Sequence, residues 1–196
     1  MRFYELQGGS ISLDGHDIRS VTQTSLRSAI SLVPDEPFLF STSVHENISY
    51  GKPGASREEV EAAARAAQAH EFIVGLGDGY DTVVGERGYD LSGGQRQRIS
   101  LARLFLSDPL VIILDDSTSA IDVEIEERIH RSLKELLRER TTIVIAHRLS
   151  TIALADRVVL VDDGQIIADG THQQLLDTEA RYVETLAASL GEDDSW

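Results

Sequence analysis

The chain has 196 residues, 41% of them hydrophobic, with 33 acidic against 18 basic side chains and a formal net charge of -15 at pH 7. This size fits one globular domain, and the negative charge argues against a protein that binds nucleic-acid phosphates. The nearest approach to a basic cluster, Arg96, Arg98 and Arg103, is interpreted as a solvated helix face. Because cysteine is absent, disulfide frameworks and thiolate metal sites are excluded. No apolar run is long enough to cross a bilayer, so any link to a membrane is expected to come through a partner or a further segment.

Two short strands are predicted in the first part of the chain, at residues 10–13 and 31–33. The pair Asp14-Gly15 follows the first strand directly and is typical of a tight turn. A helical insert is predicted to begin soon after the second strand.

Three segments have the spacing of a capping box, which places a helix start directly after each of them. They are Ser56 with Glu59, Ser92 with Gln95, and Thr171 with Gln174. The first helix is predicted to extend to about residue 69 and the second to about residue 106. The third is predicted as the last helix, ahead of a polar tail at residues 191–196.

Short β-branched runs follow the second of these helices, at residues 111–114, 142–146 and 158–161. A helix is predicted over residues 123–138, between the first two runs. Such runs are typical of buried parallel strands joined by crossover helices. The pair Asp163-Gly164 predicts a hairpin turn after the third run. The elements together indicate an α/β fold.

Two carboxylates, Asp115 and Asp116, directly follow the apolar run 111–114. Ligands of α/β proteins bind at the carboxyl ends of strands, so this pair is a candidate magnesium site. Taken alone, the pair also fits a strand end that simply passes into solvent.

A glycine-rich helix start lies about 20 residues before this pair. Its residues are Leu91, Ser92, Gly93, Gly94 and Gln95. The two glycines leave room for backbone N–H groups to approach an anion such as a phosphate. A turn followed by a capped helix is the alternative explanation of the run on its own.

In order and spacing, these runs resemble the ABC ATPases, the ATPase domains of ABC transporters. The resemblance covers essentially the whole chain. It rests on the LSGGQ signature at 91–95, the Walker B run VIILDD at 111–116, the D-loop Ser119, Ala120, Ile121 and Asp122, and His147. It implies a P-loop NTPase-like core with a central, mostly parallel sheet and an α-helical signature subdomain. The expected boundaries are about 41–108 for that subdomain, 1–40 and 109–190 for the core, and 191–196 for a tail.

The resemblance also implies a role for each of these residues. In the family, ATP lies between two nucleotide-binding domains arranged head to tail, so the signature residues 91–95 would act on ATP held by the partner domain. Asp115 would hold Mg²⁺ through water, Asp116 would orient the attacking water, and His147 would contact the γ-phosphate.

Two further segments resemble exporters within this family, residues 38–48 and residues 84–88. They imply a transmembrane domain as a partner and a location at the cytoplasmic face of the cell membrane. For Phe38 and Phe40 taken singly, ordinary core packing is the alternative interpretation. The expected function is ATP hydrolysis coupled to export. One alternative is a non-catalytic remnant that docks on an intact partner, and another is a soluble ABC ATPase acting on ribosomes or DNA.

The P-loop motif G-x-x-x-x-G-K-[ST] does not occur in this sequence, because the only lysines are Lys52, which precedes Pro53, and Lys134, inside a predicted helix. The motif is expected just upstream of Met1, so the chain is interpreted as lacking the P-loop strand and helix at its N-terminal side. Their loss is expected to expose apolar surface and to leave the isolated chain unstable and inactive.

Two residues depart from the family pattern. Asp116 stands where a glutamate is usual, and its shorter side chain draws the carboxylate back by roughly 1 Å, a displacement that can lower a rate on the order of 10²-fold. Asp35 stands at the Q-loop position, where a glutamine normally contacts Mg²⁺, and it is kept as a candidate metal residue. An intact signature with an altered carboxylate resembles one half of a heterodimeric exporter that has one degenerate site.

Overall fold

The computed structural model describes residues 1–85, 88, 90–146 and 148–193. Its strands are β1 (Ser12–Leu13), β2 (His16–Asp17), β3 (Ile30–Val33), β4 (Val111–Asp115), β5 (Thr141–Ile145), β6 (Val158–Asp162) and β7 (Gln165–Gly170). Its helices are α1 (Gln23–Ala29), α2 (Val44–Ser49), α3 (Arg57–Ala66), α4 (His70–Val74), α5 (Gly93–Ser107), α6 (Val123–Leu137), α7 (Leu149–Ile152), α8 (His172–Thr178) and α9 (Ala180–Asp193), with a 3-10 turn at Gly79–Asp81. The chain divides into two compact units, Met1–Ile143 and Val144–Trp196.

The first hairpin confirms the predicted turn. β1 and β2 pair antiparallel, with Leu13 opposite His16. Asp14 and Gly15 between them have positive φ angles of 48° and 80°. Two consecutive left-handed residues form the type I′ turn, whose twist matches that of the strands it joins. The strand itself is shorter than the predicted residues 10–13, because only Ser12 and Leu13 pair.

A parallel pair of strands, β3 and β4, lies in the first unit. Ile30 is opposite Val111 and Val33 is opposite Leu114. The strand order of the sheet is β3-β4-β5. Val33 and Leu114 are 1% exposed, which confirms that the β-branched run at 111–114 is a buried parallel strand. Because parallel strands end at the same edge, the residues that follow Val33 and Leu114 are neighbours at one edge of the sheet.

The helices between β3 and β4 pack around α5. Both α2 and α3 contact α5, whose buried face includes Ile99, Leu101 and Leu104. Each of these three helices begins with a complete capping box, in which the N-cap hydroxyl and the side chain three residues later bond to each other's backbone N–H. The boxes predicted at Ser56 and Ser92 are therefore confirmed, and α5 ends at Ser107, one residue from the predicted position.

The predicted end of the alanine-rich helix is wrong by three residues. α3 ends at Ala66, and Gln68 takes a left-handed conformation with φ of 54°. A left-handed residue cannot continue a right-handed helix, so the chain turns there and a separate helix, α4, begins at His70. The alanine-rich composition continues past this turn, so the sequence alone predicts a helix that is too long.

The second unit contains a two-stranded hairpin and helices α7 to α9. Its core cluster comprises Ile152, Leu175, Tyr182 and Leu186. The hairpin turn at Asp163 and Gly164 is confirmed, with φ angles of 45° and 75°. The expectation that residues 158–161 form a buried parallel strand is wrong, because β6 pairs antiparallel with β7 and Val161 is 59% exposed. The two-residue turn causes this difference, since it returns the chain directly alongside β6.

The last helices also differ from the prediction. The capping box of Thr171 and Gln174 is present and starts α8, but a further helix, α9, follows it and continues to Asp193. Residues 191–193 of the predicted polar tail are therefore helical, and residues 194–196 lie outside the described part of the chain. Among the described residues, no helix combines the length and the apolar character that a membrane span requires.

Candidate functional site

The start of α5 is a capped helix N-terminus that is exposed at Ser92. Ser92 Oγ accepts a hydrogen bond from Gln95 N at 3.2 Å, and Gln95 Oε1 accepts one from Ser92 N at 2.9 Å. Leu91, which precedes the cap, is buried and anchors the entry to the helix, while Ser92 is exposed. The first turn contains no acidic side chain, so its partial positive charge is not neutralised from within the helix. This end of α5 can therefore attract an anion.

The two glycines of this turn lie against the loop that follows β4. A Cβ atom on Gly94 would be 2.5 Å from the carbonyl oxygen of Ala120, and one on Gly93 would be 3.1 Å from Ala120 Cβ. A side chain at position 94 would therefore force the backbone of one of the two segments to move. Glycine is needed here for close packing between the helix start and residues 120–121.

The loop after β4 is held by its own hydrogen bonds. Ser119 N donates to Asp116 O at 3.2 Å and Ile121 N donates to Thr118 O at 3.0 Å, which makes two successive turns. Thr118 Oγ1 donates to Glu126 Oε1 at 2.8 Å, and both side chains are buried. Asp122 is the N-cap residue of α6. The segment is fixed at both ends, on the sheet and on α6.

Gln97, in the second turn of α5, joins this loop to the loop after β3. Its Nε2 donates to Ser119 Oγ at 2.8 Å and to the backbone oxygen of Asp35 at 3.2 Å. Its Oε1 accepts from Ala120 N at 2.9 Å. Sequence reasoning missed this residue. The available signal is that Gln97 shares the buried i, i+4, i+7 stripe of α5 with Leu101 and Leu104, and it is itself 2% exposed.

Three carboxylates lie at or just after the ends of β3 and β4. Asp115 is the last residue of β4, Asp116 comes next with a left-handed φ of 40°, and Asp35 follows β3 by two residues. Asp35 Oδ1 accepts a hydrogen bond from Ser119 Oγ at 2.8 Å. The predicted position of Asp115 and Asp116 at a strand end is therefore observed, and the candidate residue His147 lies outside the described residues.

This edge of the sheet suits a Mg²⁺ site that uses one or two protein carboxylates. Within the described ranges, no group of three or more His, Cys, Asp or Glu side chains is arranged to hold a metal ion. Mg²⁺ commonly binds proteins through one or two carboxylates, with water and substrate phosphate completing its octahedron. A carboxylate at the end of β4 fits that mode, whereas an all-protein metal cage does not.

Comparison with known proteins matches this architecture to one family. A family model described as ABC transporter matches residues 1–119, more than half of the chain. The chain belongs to the ABC transporter family. By sequence and fold it corresponds to the ATP-binding domain of ABC exporters.

Among the relatives, YgaD of Bacillus subtilis (strain 168), whose name assigns it to multidrug export as an ATP-binding/permease protein, is 51% identical over 181 residues. That alignment covers 92% of this chain and 31% of YgaD. ABC transporter B family member 14 of Arabidopsis thaliana is 47% identical over 188 residues, which cover 96% of this chain and 15% of that protein. The chain thus spans a third or less of the relatives' length.

A solved structure shows the same fold. The structure of a bacterial Atm1-family ABC exporter with ATP bound superimposes with a TM-score of 0.92 at 46% identity. The match covers 96% of this chain and 33% of the exporter chain. The predicted α/β fold with a parallel sheet is confirmed by this match and by the pairing of β3 with β4.

The three arginines that follow the signature of this ABC domain are not a solvated helix face, so that interpretation is wrong. Arg96 Nη1 donates to Leu91 O at 2.6 Å, Arg98 Nη1 to Gln68 O at 2.8 Å, and Arg103 Nε to Asn47 O at 2.6 Å. Each guanidinium group donates to a backbone carbonyl of the domain, and these hydrogen bonds hold it against the protein surface. The arginines therefore tie α5 to the elements around it.

An aromatic patch lies on the exporter-like segment of this ABC domain. Phe38, Phe40 and Tyr50 are 52%, 37% and 64% exposed, and the ring centroids of Phe38 and Phe40 are 5.1 Å apart in an edge-to-face arrangement. Core packing, the alternative for the two phenylalanines, is not observed. Leu39 between them is fully buried and fixes the segment to the domain. The patch is an apolar surface suited to contact another protein surface.

Proposed function

We propose that this chain is the nucleotide-binding domain of an exporter, in which the start of α5 contacts the γ-phosphate of ATP that a second nucleotide-binding domain holds. The observation that supports this most is the capped, acid-free and exposed N-terminus of α5. Ser92, Gly93 and Gly94 would bind the phosphate through a hydroxyl and backbone N–H groups. Leu91 and Gln95 would hold that turn in shape.

Residues 1–196 alone would not bind ATP through a P-loop. This sequence contains no P-loop motif, whose lysine and backbone amides hold the β- and γ-phosphates in P-loop ATPases. We infer that these phosphate-binding groups are supplied by other residues of the protein or by its partner. Residues 1–196 on their own would not hydrolyse ATP.

Mg²⁺ and the attacking water are assigned to the strand-end carboxylates. Asp115 would hold Mg²⁺ through water, since its carboxylate ends a buried strand at the ligand-binding edge of the sheet. Asp116 would accept a hydrogen bond from the attacking water, and His147 would contact the γ-phosphate. The D-loop residues Ser119 to Asp122 would lie at the interface with the second domain.

The aromatic patch of Phe38, Phe40 and Tyr50 is the proposed contact with a transmembrane domain, which would place this chain at the cytoplasmic face of the cell membrane. The net charge of -15 supports a protein partner over a nucleic acid. We further propose a heterodimer, in which this subunit provides an intact signature and the altered carboxylate Asp116.

The test is the ATPase rate of the full-length protein with the variant Ser92→Asp. Aspartate caps a helix about as well as serine, so α5 should still form, but its charge repels a phosphate at the same place. The matched control is Ser56→Asp, the same change at the capping box of α3. We expect Ser92→Asp to lower the rate at least about 10-fold and Ser56→Asp to leave it unchanged. A Ser92→Asp rate equal to that of the control would refute the proposal.

A further inference from the structure

A closed set of hydrogen bonds joins the loop after β3, the loop after β4 and α5. Gln97 Nε2 donates to both Ser119 Oγ and Asp35 O, at 2.8 and 3.2 Å. Ser119 Oγ in turn donates to Asp35 Oδ1 at 2.8 Å. Gln97 is 2% exposed and its Oε1 accepts from Ala120 N, so both hydrogens and the oxygen of its amide are engaged.

The hydroxyl of Ser119 has one hydrogen, and that hydrogen goes to Asp35. The same hydroxyl oxygen accepts from Gln97. A carboxylate is a stronger acceptor than a neutral oxygen, so this bond orients the hydroxyl and favours the pairing with Gln97. The carboxylate of Asp35 is thus directed toward Ser119.

We propose that Asp35 is a positioning residue that holds Ser119 and Ala120 against α5 through Gln97, and that it is not a ligand of Mg²⁺. The inference deepens the proposed function, since it rests on the assignment of residues 119–122 to the interface with the second domain. A glutamine at position 35 would contact the metal in the family pattern. In this chain the aspartate instead connects the loop after β3 to the loop after β4.

The first measurement is hydrogen exchange of the backbone amide of Ala120 in the full-length protein without nucleotide. Asp35→Ala and Ser119→Ala each remove one partner of the set, and we expect each to speed this exchange about 3- to 10-fold, the effect of one net hydrogen bond. The double variant should exchange no faster than the faster single variant, because both changes break the same bond. The control Ser28→Ala removes an exposed hydroxyl of α1 that donates to Ser25 O, and it should have no effect on Ala120.

A conservative variant separates this role from metal binding. Asp35→Asn keeps an acceptor oxygen for Ser119 but removes the charge, so we expect exchange of the Ala120 amide within about 2-fold of the wild type. The second measurement is the Mg²⁺ concentration that gives half-maximal ATPase activity. We expect it to be the same in the wild type, Asp35→Asn and Ser119→Ala.

Two results would overturn the proposal. One is unchanged Ala120 exchange in Asp35→Ala. The other is a higher Mg²⁺ requirement in Asp35→Asn that Ser119→Ala does not share, which would make Asp35 a metal ligand. Because exchange is measured without nucleotide, its outcome does not depend on whether Ser92 acts on ATP, and the two proposals can fail separately.

Discussion

Arg103 Nη2 donates a hydrogen bond to Asn47 Oδ1 at 2.6 Å and so joins the signature helix α5 to α2. The same guanidinium donates through Nε to Asn47 O and through Nη1 to Phe38 O, at 2.6 and 2.7 Å. These three partners are neutral oxygens, and burial lowers the pKa of Arg103 to about 10. The arginine therefore links the signature helix to the aromatic patch that we propose as the contact with a membrane domain.

Arg103→Met is expected to lower the free energy of unfolding by about 2–4 kcal/mol. Methionine fills much of the volume, but it leaves the backbone oxygens of Asn47 and Phe38 without this donor. The matched control is Arg65→Met, which removes an exposed ion pair with Glu61 and should change stability by less than about 1 kcal/mol. Denaturant unfolding of the purified protein measures both. Equal effects of the two variants would mean that the Arg103 contacts do not stabilise the domain.

Asp116→Glu tests the proposed defect in the Walker B carboxylate. Glutamate extends the carboxylate by one methylene, and we expect turnover at the site that contains residue 116 to rise about 10- to 100-fold. The measurement is ATP hydrolysis by the full-length pair with the other site disabled. The control Asp163→Glu makes the same change at another left-handed aspartate, in the β6–β7 turn, and should not alter turnover. If Asp116→Glu also leaves turnover unchanged, the shorter side chain of Asp116 is not the cause of a slow site, and the proposed defect is wrong.

Tyr80 should make stability fall at alkaline pH. Burial raises the pKa of Tyr80 to about 12, and its hydroxyl lies 2.9 Å from His70 Nδ1. An unfolded tyrosine ionises near pH 10, so between about pH 10 and 12 the unfolded chain loses this proton while the folded chain keeps it. The free energy of unfolding therefore decreases as pH rises through that range.

Tyr80→Phe removes this contribution, so the decrease between pH 10 and 12 should be smaller than in the wild type. Tyr4→Phe is the control, since Tyr4 is 90% exposed, and it should follow the wild-type curve. Thermal unfolding at a series of pH values gives both slopes. Identical slopes for the wild type and Tyr80→Phe would show that burial of Tyr80 does not govern this pH range.

Local signals in the sequence predicted part of the site well. The capping box of Ser92 and Gln95 depends on residues three apart, and the position of Asp115 follows from the apolar run before it. Both features are set by short-range chain geometry. The start of α5 and the end of β4 could therefore be located without a structure.

Contacts between distant segments were not predictable in the same way. Gln97 meets Asp35 across 62 positions in sequence and Arg103 meets Phe38 across 65, and no spacing rule connects such pairs. Arg98 and Arg103 were misinterpreted for the same reason, since their acceptors include backbone carbonyls of Gln68 and Asn47, 30 and 56 positions away in sequence. The left-handed turn at Gln68 is likewise invisible in an alanine-rich run.

Photocrosslinking of the full-length protein with an ATP analogue that carries a photoreactive group on its γ-phosphate tests directly whether the start of α5 lies at that phosphate. Trypsin cleaves after Arg87 and Arg96, so residues 88–96, with the whole signature, are released as one peptide. We expect this peptide to be labelled and excess ATP to prevent the labelling. Label on other peptides of the protein, with none on residues 88–96, would contradict the claim that the start of α5 lies at the γ-phosphate.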